Sequence, residues 1–527
     1  MFLQKNSNLL TTTLQNILQS LTHFWPEIFL AIGFLLILIA EMFLNRPRSV
    51  SSQTFEPSIS SQTFKPLVSS PRSVSSQTSK TSPRSVSSQT LNLRFLVIGF
   101  IIVSIILVIN QWHDSPQYLF QNMLLLDHAA VYFKILIAVS TLCILVHIHL
   151  TDTKLPPEFY SILLAVLLGL FILTMAVNGL SIYLSLEMVS IGGYMMVAFG
   201  QDKKASEGGL KYLLFGAISS AIMLYGFSLL YGMGRTFDFL SPLFMQNMQQ
   251  QSPQIVTVAL FLSLAGLLFK LSLVPFQVYA PDVYEAAETP VAAFLSVVPK
   301  AAALLVFLRF SFILPSNFQS VTAIIALGSI LIGNFSALWQ TNFKRLLAYS
   351  SIAQAGFILV GIVSNNQFGV QSAIFYISVY SFMNLAAFFL LDVLGNGKTQ
   401  ISDFAGMGSA YPFLSVLLVF ILISLVGLPP TAGFTAKLLV FSSLWESYQT
   451  NPNNLKIWLL IVGLLNAVVA LFYYLKIPFQ LFLRKNSTNQ IIQKQSLAII
   501  FWAIVIIIPT ILFFLKTDWL FIFIKQF

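Results

Sequence analysis

The stretch GLLFKLSLVPFQVYAPDVYEAAETPVAAFLSVVPKAAALL, residues 266–305, sets two lysines, Lys270 and Lys300, in apolar runs, and Pro275 follows the first lysine by five residues. Proline removes a helical hydrogen bond and frees backbone carbonyls. Irregular backbone at membrane depth is tolerated only where it faces protein or a water-filled cavity.

Apolar runs of the same kind recur almost end to end. A helix crossing a hydrocarbon core of about 30 Å needs about 20 such residues. The chain of 527 residues is 57% hydrophobic and 9% charged, against roughly a quarter charged in a soluble domain, so a soluble fold is excluded. Spans are read at about 26–45, 95–111, 129–149, 159–177, 179–200, 208–232, 254–278, 291–313, 319–340, 345–363, 370–391, 412–446, 456–480 and 495–515. The expected fold is therefore an all-α polytopic membrane protein of about fourteen transmembrane helices.

The formal charge of +10 comes from 28 lysines and arginines spread over loops and helices, with no basic domain to hold a duplex, so no nucleic-acid partner is expected. The one cysteine, Cys143, lies in an apolar run and allows neither an internal disulfide nor a cysteine-ligated iron–sulfur cluster. His147 and His149 are two apart and do not share a helix face, so no metal site is expected there. GNGKT at 395–399 lacks the glycine a phosphate loop needs, since Asp392 stands in its place. The polar segment 1–23 has no small-residue cleavage site after it, and helix one is expected to remain in the mature protein.

Lysine and arginine accumulate on the cytoplasmic side of membrane proteins. With the N-terminus outside, the inner loops hold 17 of them and the outer loops and tails 5, which puts both termini outside. The expected layout is helix one in 1–45, a loop at 46–94, helices two and three in 95–150, two repeats at 151–315 and 316–485, and a last helix and tail in 486–527. The loop reads PRSVSSQT three times, at 47–54, 71–78 and 83–90; so Ser-rich a repeat cannot bury a core and should be disordered. Spans seven and twelve each carry a proline break beside a lysine, Pro275 with Lys270, and Pro429 and Pro430 with Lys437. Five helices separate the two, an odd offset that makes helices 4–8 and 9–13 an inverted repeat.

Glu187, Lys211, Lys270, Lys300 and Lys437 all fall within predicted spans. Each costs about 2.5–3.5 kcal/mol at a helix centre on insertion scales, so the five are paired, hydrated or both. Lysines near a span end can instead snorkel to the interface, an objection that bears most on Lys134 and Lys211. Desolvation makes a buried lysine release its proton readily and a nearby carboxylate reverses this, so a line of such groups can relay protons. Arg309 stays protonated and is read as a helix-end anchor; Glu27 and Glu41, near span ends, are read as interfacial.

The 270–300 segment resembles the signature of the antiporter-like membrane subunits of proton-pumping NADH–quinone oxidoreductase, respiratory complex I, and specifically of the subunit N (subunit 2) family. NFKRLLAYSSIAQAGFILVGI at 342–362 and LISLVGLPPTAGFTAKLLVF at 422–441 are similar to its helix ten and its broken helix twelve. The resemblance implies a proton-translocating subunit of an NADH:quinone oxidoreductase, with NADH, flavin, iron–sulfur clusters and quinone held in other chains and no cofactor in this one. It implies that Glu187 and Lys211 form a modulating pair, Lys270 the central proton carrier, Lys300 the link inward and Lys437 the exit. It further implies sister subunits M and L and small subunits as partners, in a bacterial inner membrane or else a mitochondrial inner or thylakoid one. Subunits M and L and multisubunit sodium/proton antiporters look different around Pro275, but a subunit of a cation/proton antiporter or of a membrane-bound hydrogenase is the alternative. Gln277 and Tyr279 depart from the histidine and tryptophan usual in the family, and glutamine cannot titrate.

Overall fold

The structure, a computed structural model, describes residues 14–44, 84–200, 202–311, 318–484 and 495–526. Its helices are α1 (Trp25–Leu44), α2 (Arg84–Asn110), α3 (His128–Leu150), α4 (Glu158–Met175), α5 (Gly179–Ala198), α6 (Lys203–Gly234), α7 (Pro242–Gln249), α8 (Pro253–Ser263), α9 (Ala265–Leu271), α10 (Ala280–Ala286) and α11 (Thr289–Ser311). Then follow α12 (Phe318–Leu338), α13 (Phe343–Val363), α14 (Gln367–Gly395), α15 (Pro412–Val426), α16 (Ala432–Thr450), α17 (Asn454–Pro478), α18 (Leu497–Leu515) and α19 (Thr517–Ile524).

Among the described residues, twelve helices are long and apolar enough to cross a membrane, thirteen if α8 and α9, bent by 46° at Leu264, count as one. The fourteenth expected span is the pair α15 and α16, which is two helices because Gly427 closes the first in a left-handed conformation, φ 86°. Span seven also stops earlier than its proline suggests: α9 ends at Leu271, and Ser272 takes φ 57°. Ser272 N–H donates to Phe269 O and Leu273 N–H to Leu268 O, both at 2.9 Å. This paired pattern terminates a helix through a left-handed residue, and Gly427 and Leu428 make the same pair of bonds at the end of α15.

The Ser-rich loop lies outside the described residues as far as residue 83. From Arg84 onward α2 is already helical, so the expected boundary at 94 is ten residues late. The polar SVSSQT stretch continues the helix, since serine and threonine cost only a few tenths of a kcal/mol each in a helix interior. A small ribbon, Gln117–Leu119 antiparallel to Leu124–Leu126, joins α2 to α3; its turn, Phe120 to Asn122, is left-handed without a glycine and gave no signal in the sequence. The C-terminal α19 folds back so that Phe521 stacks on Phe375 of α14.

Helices α11, α13 and α14 are buried along nearly their whole length, whereas α6, α17 and α18 expose most of theirs. A helix apolar on every side belongs in the centre of such a bundle. The interhelical turns before α13 and after α14 lie at one end, joined by Phe343 N–H to Thr399 O at 2.7 Å. Lys154, Lys203, Lys344, Lys398 and Lys476 lie at this basic end; Asp127, Arg309 and Asn366 lie at the opposite one.

Candidate functional site

Lys270, Lys300 and Lys437 are 3%, 1% and 5% exposed, so none of them snorkels. Lys270 sits in the last turn of α9, where unpaired carbonyls favour a cation. Its Nζ donates to Tyr212 Oη at 3.4 Å and stands 5.2 Å from the centre of that ring and 5.7 Å from that of Tyr194. Ring faces attract a cation most where water is excluded. Tyr212 stacks on Tyr279, whose hydroxyl donates to Phe269 O at 2.8 Å and meets Ser272 Oγ at 2.9 Å. Tyr279 thus buttresses the broken end that holds the lysine, while the neighbouring Gln277 buries an Oε1 without a hydrogen-bond partner among the described residues.

Lys300 lies on α11 one residue after Pro299 and donates to Ser351 Oγ at 3.0 Å and Ser351 O at 3.2 Å. Beside it is a cavity of about 10 Å³, which Leu271 and Tyr380 also line; that is the lower limit for one water molecule. One turn along α13, Gln354 donates from Nε2 to Leu425 O at 2.9 Å and accepts from Tyr376 Oη at 2.6 Å. The same Leu425 carbonyl receives Lys437 Nζ at 3.3 Å, and Val426 O receives it at 2.5 Å. Lys437 on α16 therefore caps the carbonyl end of α15 across the break. A methyl group at Gly427 would come within 2.8 Å of its Cδ, and one at Gly433 within 1.8 Å of Ser424 O, so glycine at both positions lets the half-helices meet around the ammonium.

The structure does not bring Lys211 to Glu187. Lys211 is 40% exposed and bonds Glu207 and Asp282, both at 3.0 Å, in an open cavity of about 180 Å³ with Lys204, Glu285 and Arg345 on its wall. Arg345 binds Asp282 at 2.6 Å and Glu285 at 3.0 Å. Burial pushes the Asp282 carboxyl up, but the hydrogen bonds from Lys211 and Arg345 outweigh it and leave the carboxyl below its ordinary value. Glu187 is half-buried and leaves Oε1 buried without a hydrogen-bond partner among the described residues.

Sequence reasoning missed a buried charge pair. Lys134 and Glu27, read as a snorkelling lysine and an interfacial acid, are both 0% exposed and 2.5 Å apart. Lys134 also donates to Gln111 Oε1 at 3.1 Å. Both lie within a turn or two of a span end; the ribbon and the segment before α1 pack over that end, through Phe120 N–H to Ser20 Oγ and Gln111 Nε2 to His23 O, which no periodicity reveals. Glu41, also read as interfacial, is buried and accepts from Ser161 Oγ at 3.1 Å. Arg309 does anchor a helix end, donating to Asp127 at 2.8 Å and Thr174 O at 2.7 Å. His147 finds its partner in Asp392 at 2.9 Å, tying α3 to α14 at the basic end.

A helical membrane bundle with interrupted helices and lysines buried against broken helix ends defines a class of ion-translocating membrane protein. Residues 176–466 match the NADH:quinone oxidoreductase/Mrp antiporter transmembrane family, and the chain belongs to it. It is 35% identical over 412 residues to NADH-quinone oxidoreductase subunit N 2 of Chloroherpeton thalassium, covering 74% of this chain and 79% of that one. It is 39% identical over 404 residues to NAD(P)H-quinone oxidoreductase subunit 2 of Synechocystis, covering 73% and 75%. A chain in the structure of respiratory complex I from Thermus thermophilus with bound aureothin superposes with a TM-score of 0.69 at 25% identity, over 81% of this chain and 93% of that one.

Proposed function

We propose that this chain is a membrane-arm subunit of an NADH–quinone oxidoreductase and moves protons across the membrane, coupled to electron transfer in partner subunits. The observation that carries the reading is the line Lys270, Lys300, Lys437, each lysine enclosed and donating to a hydroxyl or to a freed carbonyl, with Ser351 and Gln354 of α13 between the last two. Each proton moved against the potential costs about 2.3 kcal/mol per 100 mV, which oxidation of NADH by quinone in the partner chains supplies. Lys270 would be the central carrier, Lys300 the link and Lys437 the exit. Glu187, half-buried with an unpartnered Oε1 among the described residues, would modulate Lys270, and Lys211 would do so from the open cavity shared with Asp282.

In this reading NADH, flavin, iron–sulfur clusters and quinone sit in other chains, subunits M and L and small membrane subunits flank this one, and 151–315 and 316–485 are the inverted repeats. The basic end faces the cytoplasm of a bacterial cell, with both termini periplasmic. The test compares proton uptake by membrane vesicles oxidising NADH for wild type and Lys270→Ala at matched complex content. Loss of pumping supports the reading; unchanged pumping and turnover leave a structural subunit.

A further inference from the structure

Beneath the line of lysines, a polar branch runs from Gln354 toward the basic end. Tyr474 of α17 hydrogen-bonds Ser350 of α13, and Gln354 stands one turn further along the same face of α13. Its neighbour Tyr473 packs ring to ring with it at 4.5 Å and donates to Asn334 Oδ1 at 3.1 Å. Asn334 in turn donates to Asn466 O at 3.3 Å. Asn334, Ser350, Tyr473 and Tyr474 are all buried, and a packing seam between α12, α13 and α17 needs none of their polar atoms.

Depth orders these groups. At 1.5 Å per residue, Gln354 lies about 16 Å along α13 from its basic end and Ser350 about 10 Å. Tyr474 and Asn334 each lie about 6 Å from the basic ends of their own helices. Two residues beyond Tyr474, Lys476 donates to Leu338 O and lines an open cavity of about 280 Å³ with Gln340, Thr341 and Gln480. The hydroxyl pair thus lies in depth between this cavity and Gln354, whose amide shares the Leu425 carbonyl with Lys437.

We propose that Tyr474 and Ser350 form an intake branch delivering protons from the basic face to Lys437 without passage through Lys270. The inference rests on the proton-translocating reading above. Water in the cavity gives a proton to the hydroxyl pair as the pair passes one on, so the branch keeps its charge. Water bridging from the Gln354 side chain then hands the proton to neutral Lys437 Nζ, which becomes an ammonium; no electron moves.

The test uses the whole complex in inverted vesicles, comparing NADH-driven proton uptake in wild type, Tyr474→Phe, Ser350→Ala and Lys437→Ala at matched complex content. A positioned proton-transfer group typically contributes about 10²–10⁴-fold to a step, and Tyr474→Phe, which keeps the ring packing, is expected to lower uptake at least about tenfold. Tyr474→His should restore at least half of the lost rate, with a dependence on pH near about 6.5 that a packing role would not produce. If Tyr474→Phe stays within twofold of wild type while Lys437→Ala abolishes uptake, the branch is wrong and the wider reading stands. If Lys437→Ala also pumps normally, the wider reading itself fails. Should Tyr474→Phe assemble poorly, Ser350→Ala, which removes only a hydroxyl, decides: uptake lowered about tenfold supports the branch, and uptake within twofold of wild type overturns it.

Discussion

The Glu27–Lys134 pair offers the sharpest stability prediction. Both side chains are fully enclosed, Nζ and Oε1 are 2.5 Å apart, and Gln111 is the further hydrogen-bond partner of the ammonium. Lys134→Met strands the carboxylate and Glu27→Gln strands the ammonium, and removing one member of a buried pair costs about 3–5 kcal/mol. The double change Glu27→Met with Lys134→Met removes both charges at similar volume and should be neutral or stabilising, by up to about 4 kcal/mol. A double-mutant cycle on the purified subunit in mixed micelles, unfolded by increasing SDS, reads the difference. A coupling of about 3 kcal/mol is roughly a 100-fold change in the unfolding constant. Single variants costing less than about 1 kcal/mol, or a double variant as unstable as the sum of the singles, would show that the pair is hydrated and that the enclosure argument fails.

Two further perturbations probe the breaks and the open cluster. Gly433→Ala forces a methyl to within 1.8 Å of the Ser424 carbonyl, so α15 and α16 must separate; a loss of about 1–3 kcal/mol and a fall in assembled complex are expected, measured by blue-native electrophoresis of solubilised membranes. Asp282→Asn removes one carboxylate from Lys211 and Arg345, but the site is partly exposed and each cation keeps a second acid, so stability should change by about 1 kcal/mol or less, with little movement of the heat-inactivation midpoint.

The sequence made the membrane class and most spans legible because length and apolarity decide them. Pro275 and Pro430 marked the two interrupted spans, yet the helices end at Leu271 and Val426, where a left-handed Ser272 or Gly427 closes the hydrogen-bond pattern; proline signals that a helix cannot continue, not which residue ends it. The burial of Lys270, Lys300 and Lys437 followed from their places deep in spans. The partners of Lys211 did not: Asp282 is 71 residues away, and only the fold shows that α10 folds beside α6. Glu27 and Lys134 were misread because distance to a span end measures access to water only when nothing packs over that end. The polar neighbours of Tyr473 and Tyr474 come from α12 and α13, which the order of residues in the chain does not show.

The short first half of the broken span has a consequence for how the protein is made. At 15 residues, α15 is about 22 Å long, less than the roughly 30 Å of hydrocarbon it enters. Its final carbonyls meet the Lys437 ammonium only once α16 has been synthesised. Released singly into lipid at the translocon, α15 would leave those carbonyls unanswered in hydrocarbon, so insertion of this region has to wait for both halves. Biogenesis here proceeds by pairs of helices, and a ribosome pause between residues 427 and 437 would be harmful in a way that a pause after an uninterrupted span is not.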